Sequence, residues 1–305
     1  MKILIAYDGS DRSVEVLEDL PKDLPKAGLP REAEVIVVTV SRVRLPDPPP
    51  AGGEMTHAVY GSRRVKAALV KSYENALRVK GEAHTIALQG ADRVRQIFPF
   101  WKVSAEALSG DPAGELLGRA GDWGANLIVV GSRGRSLFGR LVGGSVPRKV
   151  AIAARCSVRV VRSPGGTGDY RPAILVGADG SQGSRAAVAA VARRVWPLGT
   201  RVRLVTCVKP FGQYGPSPDG QVAASVAVLQ DAAQILRDAG VIAESAVLKG
   251  EPAGVLAREA KKWDASCVFV GSGDKRGFES YMLGSVSAAL VKRAPCTIEV
   301  VRGRG

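Results

Sequence analysis

Histidine is almost missing from this chain: His57 and His84 are the only two in 305 residues. That scarcity argues against a His-based catalytic triad and against a histidine-ligated structural metal. The four cysteines, Cys156, Cys207, Cys267 and Cys296, are widely spaced and form no C-x-x-C pair. Each sits in or beside an apolar stretch, which predicts buried, reduced thiols and fits a cytoplasmic compartment. Long hydrophobic runs are also lacking. The amino terminus offers only Ile3 to Tyr7 before Asp8, too short for a signal-peptide core, and no segment approaches the roughly 18 apolar residues of a membrane span. No membrane partner is expected.

Acidic residues are in deficit, 29 against 43 basic ones, leaving a formal net charge of +14. Such a balance suggests an anionic partner, whether nucleotide, nucleic acid or membrane surface. The excess is spread out: residues 1–163 carry 25 basic and 17 acidic side chains, the remainder 18 and 12. There is no run of five basic residues and no aromatic-basic motif of an RNA-binding sheet, so nucleic acid is the weaker expectation. What is present is ordinary for a soluble globular protein, with 46% apolar and 24% charged residues. At about 150 residues per domain, the length suggests two domains.

The second half repeats the first. Gly110-Asp111-Pro112-Ala113 recurs as Gly250-Glu251-Pro252-Ala253, Trp123 as Trp263, Gly131-Ser132 as Gly271-Ser272, Gly144-Ser145-Val146 as Gly284-Ser285-Val286, and Cys156 as Cys296, all offset by 140 residues. The starts match at an offset of 171, with Asp8-Gly9-Ser10 against Asp179-Gly180-Ser181. Five landmarks in one register indicate a tandem duplication. The expected division is residues 1–163, a Gly/Pro-rich polar linker over 164–171, and 172–305. Copy one is longer by 31 residues between its start and Gly110. The excess is assigned to Pro46-Asp47-Pro48-Pro49-Pro50 and to a lengthened second helix.

Within copy one, short apolar runs alternate with stretches of helical periodicity. Strands are expected at Ile3–Tyr7, Glu34–Val40, Val103–Leu108, Leu127–Val130 and Val158–Val161. Helices are expected near Arg12–Leu20, Ser62–Phe98, Pro112–Asp122 and Ser145–Ala154. Gly81 and Gly90 predict that the long second helix bends or breaks. Alternation with near-continuous apolar strands predicts an α/β fold: two tandem Rossmann-like domains, each a five-stranded parallel sheet with helices on both faces. Trp123 and Trp263 are expected to pack; Trp101 has no counterpart, and a core cover and an exposed patch are both open for it.

In an open parallel sheet ligands bind beyond the carboxyl ends of the strands. Asp8, Val40 and the loop from Gly131 fall there. The loop reads Gly131-Ser132-Arg133-Gly134, nine residues, then Gly144-Ser145, whose serine opens a helix with amide hydrogens and a dipole that favour phosphate. Arg133, Arg135 and Arg140 add positive charge. The G-K-[ST] ending of a Walker loop is missing. Asp8-Gly9-Ser10 also reads as an ordinary turn and helix cap, and Ser145 as a cap.

The G-x2-G-x9-G-[ST] pattern at Gly131, Gly134, Gly144 and Ser145, with the D-G-S turns, the G-[DE]-P-A turns and the closing strands after Cys156 and Cys296, resembles the universal stress protein family and specifically its ATP-binding branch. The resemblance runs over nearly the whole chain. It implies that Asp8 and Val40 line the adenine and ribose pocket, that Gly110 approaches the sugar, and that amides around Gly134, Gly144, Ser145 and Val146 hold the phosphates. ATP is the implied cofactor, with Mg2+ near Ser145 and no metal held by protein ligands alone. No residue is assigned as catalytic. The resemblance further implies pairing through the last strands, Val158–Val161 and Ile298–Val301, within the chain or in a homodimer.

Copy two departs from the pattern: Asp274 stands where copy one has Gly134. A carboxylate there brings like charge toward the phosphates; two unit charges at about 4 Å repel by roughly 4 kcal/mol at an effective dielectric of about 20. The second set of Asp179, Val208, Gly250, Gly271, Gly284, Ser285 and Val286 is therefore the weaker one. The expected function is a cytoplasmic stress-response module that binds ATP in copy one and acts through nucleotide-dependent regulation or association. A slow ATP hydrolase or phosphoryl or adenylyl transferase is the first alternative, and a basic nucleic-acid binder the second.

Overall fold

The structure is a computed structural model that describes residues 1–11, 13–14, 16–17, 32–43, 63–132, 145–162, 172–194, 196–208, 218–273 and 283–303. Copy one contributes strands β1 (Lys2–Ala6), β2 (Glu34–Ser41), β3 (Lys102–Ser109), β4 (Leu127–Gly131) and β5 (Ser157–Val161), with helices α1 (Arg63–Ile97), α2 (Pro112–Trp123) and α3 (Ser145–Ala153). Copy two contributes β6 (Ala173–Gly177), β7 (Arg201–Val208), β8 (Ala243–Lys249), β9 (Cys267–Gly271) and β10 (Thr297–Val301), with α4 (Gln182–Ala192), α5 (Pro218–Asp238), α6 (Pro252–Lys262) and α7 (Ser285–Arg293). The described residues between 11 and 17 are also helical.

Each copy is a five-stranded parallel sheet, and the two join edge to edge into one ten-stranded sheet of order β3-β2-β1-β4-β5-β10-β9-β6-β7-β8. The join between β5 and β10 is antiparallel, with Arg159 opposite Glu299, whereas the other pairs are parallel. The last strands therefore pair within the chain. Central strands β4, β5, β9 and β10 are buried almost throughout, as expected for strands covered on both faces, while β3 and β8 at the outer edges are half-exposed.

On one face α2, α3, α6 and α7 cover a single core that crosses the seam, running from Leu4, Ile128 and Val158 to Ile298, Val268 and Leu175. On the other face the cores are separate, one under α1 and the residues Val16 and Leu17, the other under α4 and α5. Trp123 and Trp263 pack against the shared core, as their matching positions suggested. Trp101 is buried and stacks on Phe98 with ring centroids 3.9 Å apart. It covers the core of copy one, and Phe100 next to it is exposed.

Two expectations need correction. Helix α1 runs unbroken for 35 residues through Gly81 and Gly90. Its counterpart α5 has 21 residues, so the lengthened second helix is real. The thiols are all free, but only Cys267 and Cys296 are buried; Cys156 and Cys207 are half-buried. The Pro46 to Pro50 segment lies outside the described residues.

The Gly-Asp/Glu-Pro-Ala landmarks are helix starts. Asp111 caps α2 by accepting from the Gly114 amide at 3.1 Å, and Glu251 caps α6 by accepting from Ala253 and Gly254 at 3.2 and 2.9 Å. In both, proline occupies the first helical turn, where its missing N–H costs nothing.

Candidate functional site

Parallel strands bring their carboxyl ends to one edge of each half-sheet. In copy one, Asp8 follows β1, Val40 is the penultimate residue of β2, Gly110 follows β3, and Gly131 closes β4. The register fixes them together: the Tyr7 amide donates to the Val38 carbonyl at 2.9 Å, and the Gly110 amide to the Ser41 carbonyl at 2.8 Å. Asp8, Val40, Gly131 and Val146 are half-buried, Gly110 is buried and Ser145 is exposed at the start of α3. Arg133, Gly134 and Gly144, like Arg135 and Arg140, lie outside the described residues.

The Asp-Gly-Ser turn carries a structural task of its own. Asp8 Oδ1 accepts from the Ser10 amide at 3.1 Å and from the Ser10 hydroxyl at 2.6 Å, while Ser10 Oγ accepts from the Ser13 amide at 3.2 Å. Copy two repeats this: Asp179 accepts from the Ser181 amide at 3.0 Å, and Ser181 caps α4 by accepting from Ser184 at 3.1 Å. Burial works to raise the Asp179 carboxyl, but hydrogen bonds from Ser181 and Ser184 outweigh it and hold the group below its ordinary range. In both copies, then, a helix-capping serine orients a carboxylate at the strand end, half-buried as Asp8 in copy one and exposed as Asp179 in copy two.

Gly110 is required by the backbone. Its φ is +151°, and a Cβ there would collide with the Glu115 carboxylate. Gly250 stands in the same place with φ +133° and its amide on the Val208 carbonyl at 2.9 Å.

Pairing these bonds sets the correspondence between the copies. Val208 receives the Gly250 amide just as Ser41 receives the Gly110 amide, so Cys207, and not Val208, is the counterpart of Val40. Cys207 is half-buried, and its thiol is pushed up to about 11 by burial, with the charges of Glu251 and Asp179 also raising it and that of Arg258 lowering it. The threonine pair Thr39 and Thr206 was not singled out from sequence. Thr39 donates to the Tyr7 carbonyl at 2.8 Å and Thr206 to that of Ala178, pinning the chain directly before each aspartate. Ser41 and Ser109, at the ends of β2 and β3, share a hydrogen bond at 3.0 Å beside Gly110. A polar residue near the end of an apolar strand was the available signal for all four.

The glycine loop of copy two is described at both ends. A Cβ on Gly271 would run into the backbone of Gly183, which opens α4. The Gly284 amide donates to the Ser272 carbonyl at 2.6 Å, and the Ser287 hydroxyl to the Gly271 carbonyl at 2.5 Å. A Cβ on Gly273 would lie 3.2 Å from the Gly284 Cα. The two arms of the loop are thus strapped together, and the Gly284 amide is engaged by the loop's own carbonyl. Ser285 and Val286 begin α7 behind this strap. Asp274 lies outside the described residues.

Among the described residues no group of His, Cys, Asp and Glu is placed to hold a metal ion, and no helix is long and apolar enough to cross a membrane.

Known proteins agree with this architecture. The model of the universal stress protein family matches residues 1–162 and 171–302. The universal stress protein YxiE of Bacillus subtilis is 31% identical over 163 residues, covering 53% of this chain and 98% of its own length. A universal stress protein of Mycolicibacterium smegmatis is 31% identical over 195 residues, covering 59% of this chain and 63% of its own. In a solved universal stress protein from Archaeoglobus fulgidus the fold extends over 99% of this chain and 96% of that one, with a TM-score of 0.59 at 19% identity. With a family match over both halves and the repeated strand order, the chain belongs to the universal stress protein family and carries the family's domain twice in tandem.

Proposed function

We propose that copy one binds an adenine nucleotide, ATP, at the strand ends and that the chain acts as a cytoplasmic, nucleotide-dependent regulatory or interaction module. The observation that carries this reading is the convergence of Asp8, Val40, Gly110 and Gly131 at the carboxyl edge of β1, β2, β3 and β4, with Ser145 opening α3 after the G-x2-G-x9-G-[ST] loop. Asp8 would hydrogen-bond the adenosine part, and Gly110 leaves backbone room for the sugar. The amides of Gly134, Gly144, Ser145 and Val146, with Arg133, would hold the phosphates, and Mg2+ would accompany them near Ser145. Four free thiols suit a reducing compartment.

In copy two the strapped loop favours a weakened or lost site. The Gly284 amide serves Ser272, and Asp274 would add like charge. Copy two then keeps the fold and completes the sheet. Hydrolysis or phosphoryl transfer is the rival reading, and such chemistry needs metal ligands and a positioned nucleophile or water. A product assay separates the two. The regulatory module predicts that ATP bound to copy one is recovered as ATP over many minutes. Rapid Mg2+-dependent release of ADP or AMP that disappears in Gly134→Asp would favour the enzyme.

A further inference from the structure

The β5–β10 seam has an approximate internal two-fold symmetry that fails on its axis. Val160 faces Ile298 and Val158 faces Val300, so the local axis passes between Arg159 and Glu299. These two residues are 140 positions apart and are therefore the same position in the two copies. Around the axis two pairs of hydrogen bonds obey the symmetry. Arg162 Nη2 donates to the Val291 carbonyl at 2.5 Å at the end of α7, and Arg302 Nη2 donates to the equivalent Ala151 carbonyl at 3.0 Å at the end of α3. The Arg162 amide donates to Thr297 Oγ1 at 3.1 Å, and the Arg302 amide to the equivalent Ser157 Oγ at 3.2 Å. On the axis the chemistry differs between the copies, as arginine against glutamate.

The axial pair is fully desolvated. Arg159 is 0% exposed and Glu299 2%. Arg159 Nη1 reaches Glu299 Oε2 at 2.8 Å, and Arg194 from the end of α4 reaches Oε1 at 2.5 Å while its guanidinium lies over the Phe269 ring. In a symmetric pairing of two like strands the axial residue faces itself. Two copies of β5 would set arginine against arginine in the dry centre of the seam, and two copies of β10 would set glutamate against glutamate. Like charges directly opposite one another oppose strand pairing, the more so when water is excluded. Domains generally fold amino-terminal first during synthesis, which leaves the β5 edge of copy one open to a second copy one until β10 is made.

We propose that the Arg159–Glu299 pair, with Arg194, is a pairing-specificity device: it makes the β5 edge of copy one accept the β10 edge of copy two and reject a second β5, and β10 likewise. The partner that fits the β5 edge is thus the other copy of the same chain. Stability is a separate matter, since buried ion pairs are often replaced by apolar residues without loss while removal of one member is costly.

The test uses the full chain. Arg159→Glu and Glu299→Arg each leave like charges on the axis, and their combination with Arg194→Glu restores complementary partners on and beside the axis with the polarity exchanged. Each single reversal is expected to lower the unfolding midpoint by roughly 5–10 °C, and the combination to recover most of it. When the two single variants are co-expressed with different tags, complementary strands become available only between chains. Capture through one tag is then expected to retain at least about tenfold more of the other than differently tagged wild-type chains do. Unchanged midpoints, a combination no better than the worse single variant, or co-capture at the wild-type level would overturn the proposal. Should the reversals fail to fold, the triple variant Arg159→Met, Arg194→Met, Glu299→Met decides. It is expected to keep its midpoint within a few degrees of wild type while association between differently tagged chains rises above the wild-type level. Association no greater than wild type in that variant would overturn it.

Discussion

Gly90 on α1 lies against the ring of Tyr7 so closely that a Cβ at Gly90 would come within 2.7 Å of the Tyr7 Cδ1 and 3.0 Å of a Val37 methyl. The glycine is therefore a contact surface where the long helix crosses the sheet beside Asp8, and not a break in the helix. Gly81 in the same helix is exposed, with nothing within 4 Å of the corresponding point. The two glycines should respond in opposite directions. Gly81→Ala is expected to stabilise copy one by up to about 1 kcal/mol through helix propensity. Gly90→Ala is expected to destabilise it by about 1–3 kcal/mol, because the overpacking outweighs the same propensity gain. Urea unfolding of the two variants beside the parent chain checks both signs.

Glu299 makes the seam sensitive to acid. Burial works to raise its carboxyl, but Arg194 and Arg159 outweigh that and hold it below the ordinary value of 4.5. A folded-state value lower than the unfolded one contributes stability that is fully present above 4.5 and is lost as pH falls through the lower, folded value. The urea midpoint is therefore expected to decline on the acid side of 4.5 when measured in steps from about pH 7 to about pH 3. Glu299→Gln is expected to start lower at neutral pH and to lose part of that acid dependence. An equal acid dependence in the variant would show that the carboxyl is not responsible.

Much of the fold was legible because buried parallel strands and glycine landmarks leave direct marks. Apolar runs such as Leu127–Val130 have one physical explanation in an alternating chain, and Asp111-Pro112 and Glu251-Pro252 announce helix starts. The pairing of β5 with β10 was left open between one chain and two, since a strand sequence does not name its neighbour. The signal was present as one charge in each closing strand, Arg159 and Glu299, in otherwise apolar company. The match of Cys207 to Val40 was hidden by a shift in offset: β1 repeats at 171 residues, but the bonds of Val38 and Val205 to the turns place β2 at 167. The nucleotide loop was legible only as a pattern. Its spacing states which amides can gather, while Arg133, Gly134 and Gly144 lie outside the described residues.

The half-buried thiols are expected to be slow nucleophiles despite their partial exposure. Burial pushes both Cys156 and Cys207 up to about 11, so at neutral pH the thiolate is scarce. Alkylation of the folded chain by iodoacetamide, read by intact mass, should be slow near pH 7 and accelerate steadily toward pH 10. Cys207 stands opposite Val40 in the scheme of the two copies. Its labelling should be indifferent to ATP if the nucleotide occupies copy one alone.

The proposed function requires one nucleotide site per chain, in copy one. Native mass spectrometry of the purified full chain titrated with ATP counts the bound nucleotides directly. One ATP per chain is predicted, lost in Gly134→Asp and unaffected by Gly284→Ala in copy two. Two equivalent ATP molecules per chain, or none at saturating nucleotide, would contradict it.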